Sequence, residues 1–227
     1  MTNAEWDAII TTLETWRDGL KAHNEFAATV PSVTTVAEHY KQDPWAVLAS
    51  TILSLRTKDA VTLVASQALL DKAATPAALL PIPEEELARL IYPAGFYRTK
   101  AVNLKKIAAI LVEQYRGRVP ADMDALLALP GVGRKTANLV LIEAFDMDGI
   151  CVDTHVHRIS NRRGWVCTAS PDQTELVLRD ILPKKHWKII NTLLVRYGQS
   201  VCQPVSPFCS RCLLPHTCEQ RGVTKKR

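Results

Sequence analysis

The chain reads as an all-α protein. Apolar residues recur at three- and four-residue spacing, prolines repeatedly follow a capping residue, and no stretch alternates apolar and polar residues with period two. Met1 to Lys21 is amphipathic, with Asp7, Glu14 and Asp18 breaking any apolar run. Asp43-Pro44 supplies a cap and a proline at the first helical position, and Trp45, Leu48, Ile52 and Leu55 then recur on one face. A longer helix is expected from about Thr99 to Tyr115, with Leu104, Ile107, Ala108, Leu111 and Tyr115 as its apolar stripe. Both stripes read as core. Thr75-Pro76, Ile82-Pro83, Val119-Pro120 and Ser170-Pro171 punctuate further short helices, and there is no internal repeat or low-complexity tract.

Composition bounds the function. At 227 residues and 47% hydrophobic content, with no apolar run long enough to cross a bilayer, the chain is expected to be a soluble globular protein of one or two domains. Its net charge is a modest +5, but Lys184, Lys185, Lys188, Arg211, Arg221, Lys225, Lys226 and Arg227 crowd the C-terminal third. A basic face there suits a phosphate backbone, while Lys225 to Arg227 are expected to form a frayed, solvated tail. Nothing at the N-terminus reads as a signal peptide, so a reducing compartment is expected.

Chemistry concentrates between Leu129 and Asp153. In Leu129-Pro130-Gly131-Val132-Gly133-Arg134-Lys135 the glycines allow a tight turn between two helices, where a phosphate can approach bare backbone amides. Such a contact is blind to base sequence. Lys135 falls in the first turn of the following helix, where the positive end of the helix dipole disfavours its ammonium form, and a neutral amine is a nucleophile. Asp153, in Val152-Asp153-Thr154-His155, adds a carboxylate. Each feature also has a plain structural use: a helix corner, a solvated lysine, a cap for the helix starting at Thr154.

The second signal is Cys202-x6-Cys209-x2-Cys212-x5-Cys218, which packs four of the six cysteines into one loop. A disulfide pair is conceivable but fits a reducing compartment poorly. Zinc usually takes two well-separated cysteine knuckles, whereas here one close pair is flanked singly on each side. A four-thiolate cubane fits better. Cys151 and Cys167 lie outside the loop and are expected to be small buried apolar residues.

The hairpin, Lys135, Asp153 and the cysteine spacing together resemble the helix-hairpin-helix and Gly-Pro-Asp superfamily of DNA glycosylases, and within it the endonuclease III branch, over about Trp45 to Cys218. The resemblance implies two helical lobes with a cleft between them, residues 37–147 forming a helical barrel and residues 1–36 with 148–227 an iron-sulfur lobe. It implies Lys135 as nucleophile, Asp153 as its helper, and a 4Fe-4S cluster held by Cys202, Cys209, Cys212 and Cys218. The expected activity is a bifunctional DNA N-glycosylase and abasic-site lyase of base excision repair that removes oxidised pyrimidines and nicks by β-elimination. The expected partner is double-stranded DNA with damaged bases or abasic sites, bound by a monomer, with no membrane involved, in a prokaryotic cytoplasm at the nucleoid.

Such an enzyme must extrude a nucleotide and fill the gap. Gly131, Val132, Gly133 and Arg134 are expected at the phosphates. Leu53-Ser54-Leu55-Arg56-Thr57-Lys58-Asp59 resembles a family loop in which glutamine is usual at the position of Arg56, so contacts to the opposite strand are expected to differ, although an arginine can still insert beside an orphaned base. Phe96, in Gly95-Phe96-Tyr97, aligns where the family often has a leucine wedge. His155 is expected to line the same cleft or to bond to backbone at a helix start, and His157 only to pack. Three alternatives compete: a monofunctional mismatch glycosylase acting on thymine, uracil or adenine, a branch that lacks the lysine; a non-enzymatic iron-sulfur DNA-binding protein; and a zinc-binding nucleic-acid protein.

Overall fold

A computed structural model describes residues 1–22, 31–214 and 218–227, which are helical with no β-strand among them. In chain order the helices are α1 (Asn3–Ala22), α2 (Ser32–His39), α3 (Pro44–Ser54), α4 (Asp59–Lys72), α5 (Pro76–Leu79), α6 (Glu84–Leu90), α7 (Tyr97–Tyr115), α8 (Met123–Leu127), α9 (Arg134–Phe145), α10 (Thr154–Arg163), α11 (Pro171–Ile181) and α12 (Trp187–Ser200). The chain divides into two compact units, Thr29–Met147 and Met1–Ala28 with Asp148–Arg227. The division expected at residue 37 falls inside α2, whose Val33 and Val36 pack in the core of the Thr29–Met147 unit; residues 23–30 lie outside the described residues.

The Thr29–Met147 unit is organised around α3. The Asp43 carboxylate accepts the Ala46 amide at 2.8 Å, which satisfies one of the orphan donors of the first turn, and Pro44 lacks the amide that would otherwise need a partner. Every residue from Trp45 to Leu53 is buried. A helix apolar all round needs neighbours on every side, and α3 packs against α2, α4, α7 and α9. The Trp45 indole N–H, which burial would otherwise leave unsatisfied, donates to the Ala73 carbonyl at 3.1 Å.

Helix α7 starts two residues earlier than the sequence suggests, and Leu104, Ile107, Ala108 and Leu111 are buried as its stripe predicts, with Tyr115 half-buried at its end. Its Lys105 donates to the carbonyls of Leu80 and Ile82, fixing the α5–α6 connection. The capping pattern holds at Thr75, which accepts Ala78 N–H, and at Ser170, which accepts Gln173 N–H. Val119-Pro120 is different: α8 begins at Met123, with Asp122 accepting the Ala125 amide at 2.9 Å. A proline marks a compatible helix start, but here a better side-chain acceptor lies two residues on.

In the other unit α1 packs on α12, and α10 packs on α11 and α12. Its core joins Trp6, Ile10 and Leu13 to Val156, Ile159, Ile190, Leu193, Leu194 and Tyr197. The sequence expectation of a frayed tail is corrected at its last residue. Arg227 N–H donates to Pro207 O at 2.8 Å, its carbonyl accepts Ser210 N–H at 2.9 Å, and its guanidinium lies 3.8 Å from the Phe208 ring centroid. Apolar stacking and paired backbone groups hold what charge alone would leave solvated. Cys167 is also corrected: Cys151 is buried, whereas Cys167 is exposed.

Leu104→Ala removes a side chain that is 0% exposed and is expected to cost about 3 kcal/mol, while Asp43→Ala loses only a cap and is expected to cost about 1 kcal/mol. Urea unfolding of both variants checks the order.

Candidate functional site

The glycine hairpin joins α8 to α9. Gly131 has φ +77°, the left-handed region that favours glycine, and a Cβ there would come within 2.7 Å of the Asn103 side-chain nitrogen. Gly133 is different: its φ of −102° is open to any residue and a Cβ would meet nothing within 4 Å. Val132 between them is buried and donates its amide to Leu129 O. The N-cap of α9 is Gly133, which makes no side-chain cap hydrogen bond. An anion at this N-terminus would supply an acceptor. Lys135, the second residue of α9, is exposed, and Arg134 before it is half-buried.

Arg56 and Phe96, separate in sequence, are brought together in the same unit. Both are exposed, both have left-handed backbones (φ +52° and +57°), and the guanidinium stands 5.4 Å from the ring centroid. Sterically costly conformations at two neighbouring exposed residues persist only where surrounding structure imposes them. Next to them lies Lys100, which the sequence reading missed. It is 5% exposed, and its ammonium donates to Leu53 O at 2.7 Å, Leu55 O at 2.6 Å and Thr57 Oγ1 at 2.8 Å. Thr57 Oγ1 also accepts Gly95 N–H at 3.0 Å, and a Cβ on Gly95 would collide with the Arg56 carbonyl. Burial pulls the Lys100 pKa down to about 8, while three oxygen acceptors favour the charged form.

In the second unit Asp153 is the N-cap of α10. Its Oδ1 accepts the amides of His155 at 2.8 Å and Val156 at 2.9 Å, so the capping role foreseen from the sequence is real and holds the carboxylate in one orientation. His155 is half-buried, with Nδ1 3.1 Å from Arg158 Nη2. His157 does more than pack: its Nδ1 lies 2.7 Å from Thr174 Oγ1 in a network with Asn161 and Thr168. Further along α10, three arginines absent from the sequence prediction turn to the cysteine loop. Arg158 donates to Cys202 O at 2.9 Å, Arg162 to Gln203 O at 2.8 Å and Pro204 O at 3.1 Å, and Arg163 to Leu214 O at 2.5 Å. Their signal was the four-residue spacing of Arg158 and Arg162, which places both on one helix face.

The loop carries Cys202, Cys209, Cys212 and Cys218, all partly buried and none in a disulfide. Arg162 donates to Cys202 Sγ at 3.3 Å, and the Tyr197 hydroxyl, itself accepting Leu213 N–H, donates to Cys212 Sγ at 3.2 Å. The Cys209 thiol is raised by burial first and then by the fields of Cys212, Cys202 and Cys218. Arg163, whose pKa burial lowers, feels Cys218, Cys212 and Cys202 in turn. Among the described residues no three His, Cys, Asp or Glu side chains stand in a ready-made metal cage. The donor set nevertheless suits a thiolate-ligated cluster, because four thiols share one electrostatic neighbourhood lined by N–H and O–H donors to sulfur.

A family model described as HhH-GPD superfamily base excision DNA repair protein matches residues 49–184. Endonuclease III of Thermotoga maritima is 48% identical over 181 residues, 80% of this chain and 85% of that protein. A chloroplastic endonuclease III homolog of Arabidopsis thaliana is 45% identical over 187 residues, 78% of this chain but 48% of the longer plant protein. A solved structure of a trapped covalent intermediate of endonuclease III with DNA, an estranged-adenine complex, aligns with a TM-score of 0.78 and 34% identity over 97% of both chains. The chain belongs to the HhH-GPD superfamily of base excision DNA repair proteins and, within it, to the endonuclease III family of DNA glycosylases. No described helix is long and apolar enough to cross a membrane.

The two hairpin glycines are expected to respond differently to valine. Gly133→Val has room and an ordinary φ, so it should keep its melting temperature yet weaken binding to damaged and undamaged duplex alike, because the side chain obstructs the amides. Gly131→Val should lower the melting temperature itself. Thermal melts beside duplex titrations separate the two effects.

Proposed function

We propose that the chain is a bifunctional DNA N-glycosylase and abasic-site lyase that removes oxidised pyrimidines from double-stranded DNA and nicks the strand by β-elimination. The observation that carries the reading is Lys135, an exposed amine in the first turn of an uncapped helix directly behind a glycine hairpin. The covalent trapping of a solved relative on DNA supports it. Phosphates dock on the amides around Gly131, Val132, Gly133 and Arg134, while Arg56 and Phe96 enter the duplex where the target nucleotide leaves it. The Lys135 amine attacks C1′ and the damaged base departs with the bonding pair. Asp153, its Oδ1 held by the cap bonds, supplies the negative charge that answers the positive charge developing on the sugar, and the ammonium proton leaves to water. His155, two residues after Asp153, lines the site. The sugar ring then opens as the C1′–O4′ bond breaks, O4′ taking a proton and the nitrogen lone pair forming the Schiff base; this acidifies the C2′ proton, whose loss expels the 3′ phosphate.

Cys202, Cys209, Cys212 and Cys218 would hold a 4Fe-4S cluster, which when bound staples the C-terminal loop. Arg162 and Tyr197 then direct their hydrogen bonds at its sulfur ligands. The protein acts as a monomer in a prokaryotic cytoplasm, at the nucleoid, a setting supported by bacterial relatives.

Duplexes bearing thymine glycol, uracil, a G:T mismatch or an abasic site, followed by borohydride trapping, test the reading. A trapped adduct with thymine glycol supports it, and base release from the mismatch without trapping supports the monofunctional alternative. Lys135→Gln is expected to give no adduct while still binding DNA. Asp153→Asn keeps the shape but loses the charge, so base excision should slow by about a hundredfold or more, with a smaller loss on a preformed abasic site, where no base is expelled.

Replacing Cys209 by Ser should yield colourless protein with a destabilised C-terminal loop. Metal and sulfide analysis of the parent protein checks the assignment, and stoichiometric zinc without iron or sulfide overturns it.

A further inference from the structure

We infer that Lys100 is a positioning residue for duplex opening: its buried ammonium ties the end of α3 and the loop of residues 55–57 to the start of α7, so that Arg56 and Phe96 stand ready as one preformed element for an unpaired base. The inference rests on the proposed entry of Arg56 and Phe96 into DNA and adds to it the group that keeps them in place.

The geometry carries it. Residues 55–57 lie between α3 and α4 with no helix of their own, and Lys100 supplies hydrogen bonds to Leu53 O at the end of α3 and to Leu55 O and Thr57 Oγ1, bracketing Arg56 on both sides. The same threonine oxygen accepts Gly95 N–H, so the residue before Phe96 is bound to the residue after Arg56. The missing Cβ of Gly95 lets the two backbones touch. Arg56 and Phe96, both with left-handed backbones, thus flank a shared anchor, and their side chains meet outside it with Phe96 62% exposed. An arginine beside an aromatic face is a suitable surface for stacking and hydrogen bonding to an unstacked base. Ordering that surface before binding lowers the entropy cost of using it. A lysine is suited to the anchoring task, because three donors on one atom match three oxygens converging from one short segment.

The test compares DNA that must be opened with DNA that has no stack to open. Rates of borohydride trapping are measured on an abasic site in duplex and in single-stranded DNA, for Lys100→Met, which keeps the stem and loses the ammonium, and for Thr57→Val, which keeps the shape and loses the shared oxygen. The duplex to single-strand ratio is expected to fall on the order of tenfold in both, with weaker fluorescence enhancement from 2-aminopurine placed opposite the abasic site. A purely structural role for Lys100 lowers both rates together and leaves the ratio unchanged. Thr57→Val keeps the question answerable should Lys100→Met fold poorly, as judged by circular dichroism. Phe96→Ala and Arg56→Ala serve as references: a ratio unchanged in these overturns the proposed entry of the pair into DNA. A ratio lowered in these but not in Lys100→Met or Thr57→Val overturns the role of Lys100 alone.

Discussion

Lys100, Lys105, Arg158, Arg162 and Arg163 all leave a helix and end on backbone carbonyls of helix ends and of the connections between helices. In an all-helical protein the helices satisfy their own backbone, and the burden falls on the connections, whose carbonyls would each cost about 1–3 kcal/mol if buried without a donor. A strand could satisfy them through a ladder. Here cationic side chains do so, each bringing several donors on a long stem. The arrangement explains why Lys100, Arg162 and Arg163 are buried although their residue types seldom are. Truncating Lys100 or Arg162 would leave several acceptors unmatched at once.

The same constraint separates the two helices that carry the proposed chemistry. Helix α10 is capped from within, by Asp153, and the cap orients a carboxylate. Helix α9 has glycine at its cap position and no side-chain cap, so no carboxylate occupies the positive end of its dipole from that position. One helix start therefore presents negative charge and the other invites it. Lys135 belongs to the second kind and Asp153 to the first, in different units of the chain.

Much of this was legible in the sequence, because it depends on neighbours along the chain. The stripe on α7, the Asp43-Pro44 start, the caps at Thr75 and Ser170 and the left-handed turn at Gly131 follow from local periodicity and stereochemistry. The role of Gly133 was only half legible: its sequence neighbourhood matched a tight turn, yet its backbone is ordinary and its significance is the open space beside it. Lys100 carried no signal, since a lysine on an amphipathic helix reads as solvated until the loop it meets is known. For Arg158 and Arg162 the four-residue spacing marked a shared helix face but not what it meets, because the acceptors of Arg158, Arg162 and Arg163 lie about forty or more residues away in the chain.

The amino-acid sequence by itself determined the helical class, the hairpin with its lysine, the capping aspartate and the cysteine spacing, because each is set by the intrinsic geometry of a short segment and the chemistry of its side chains. The tertiary structure alone decided that Arg56 and Phe96 meet, that Lys100 is buried beneath them, that the tail is tied at Arg227, and that three arginines of one helix close the cysteine loop. Those outcomes depend on which distant carbonyls and rings the packed core leaves within reach of a side chain. A local pattern states what a residue can donate, and only the folded chain supplies the acceptor.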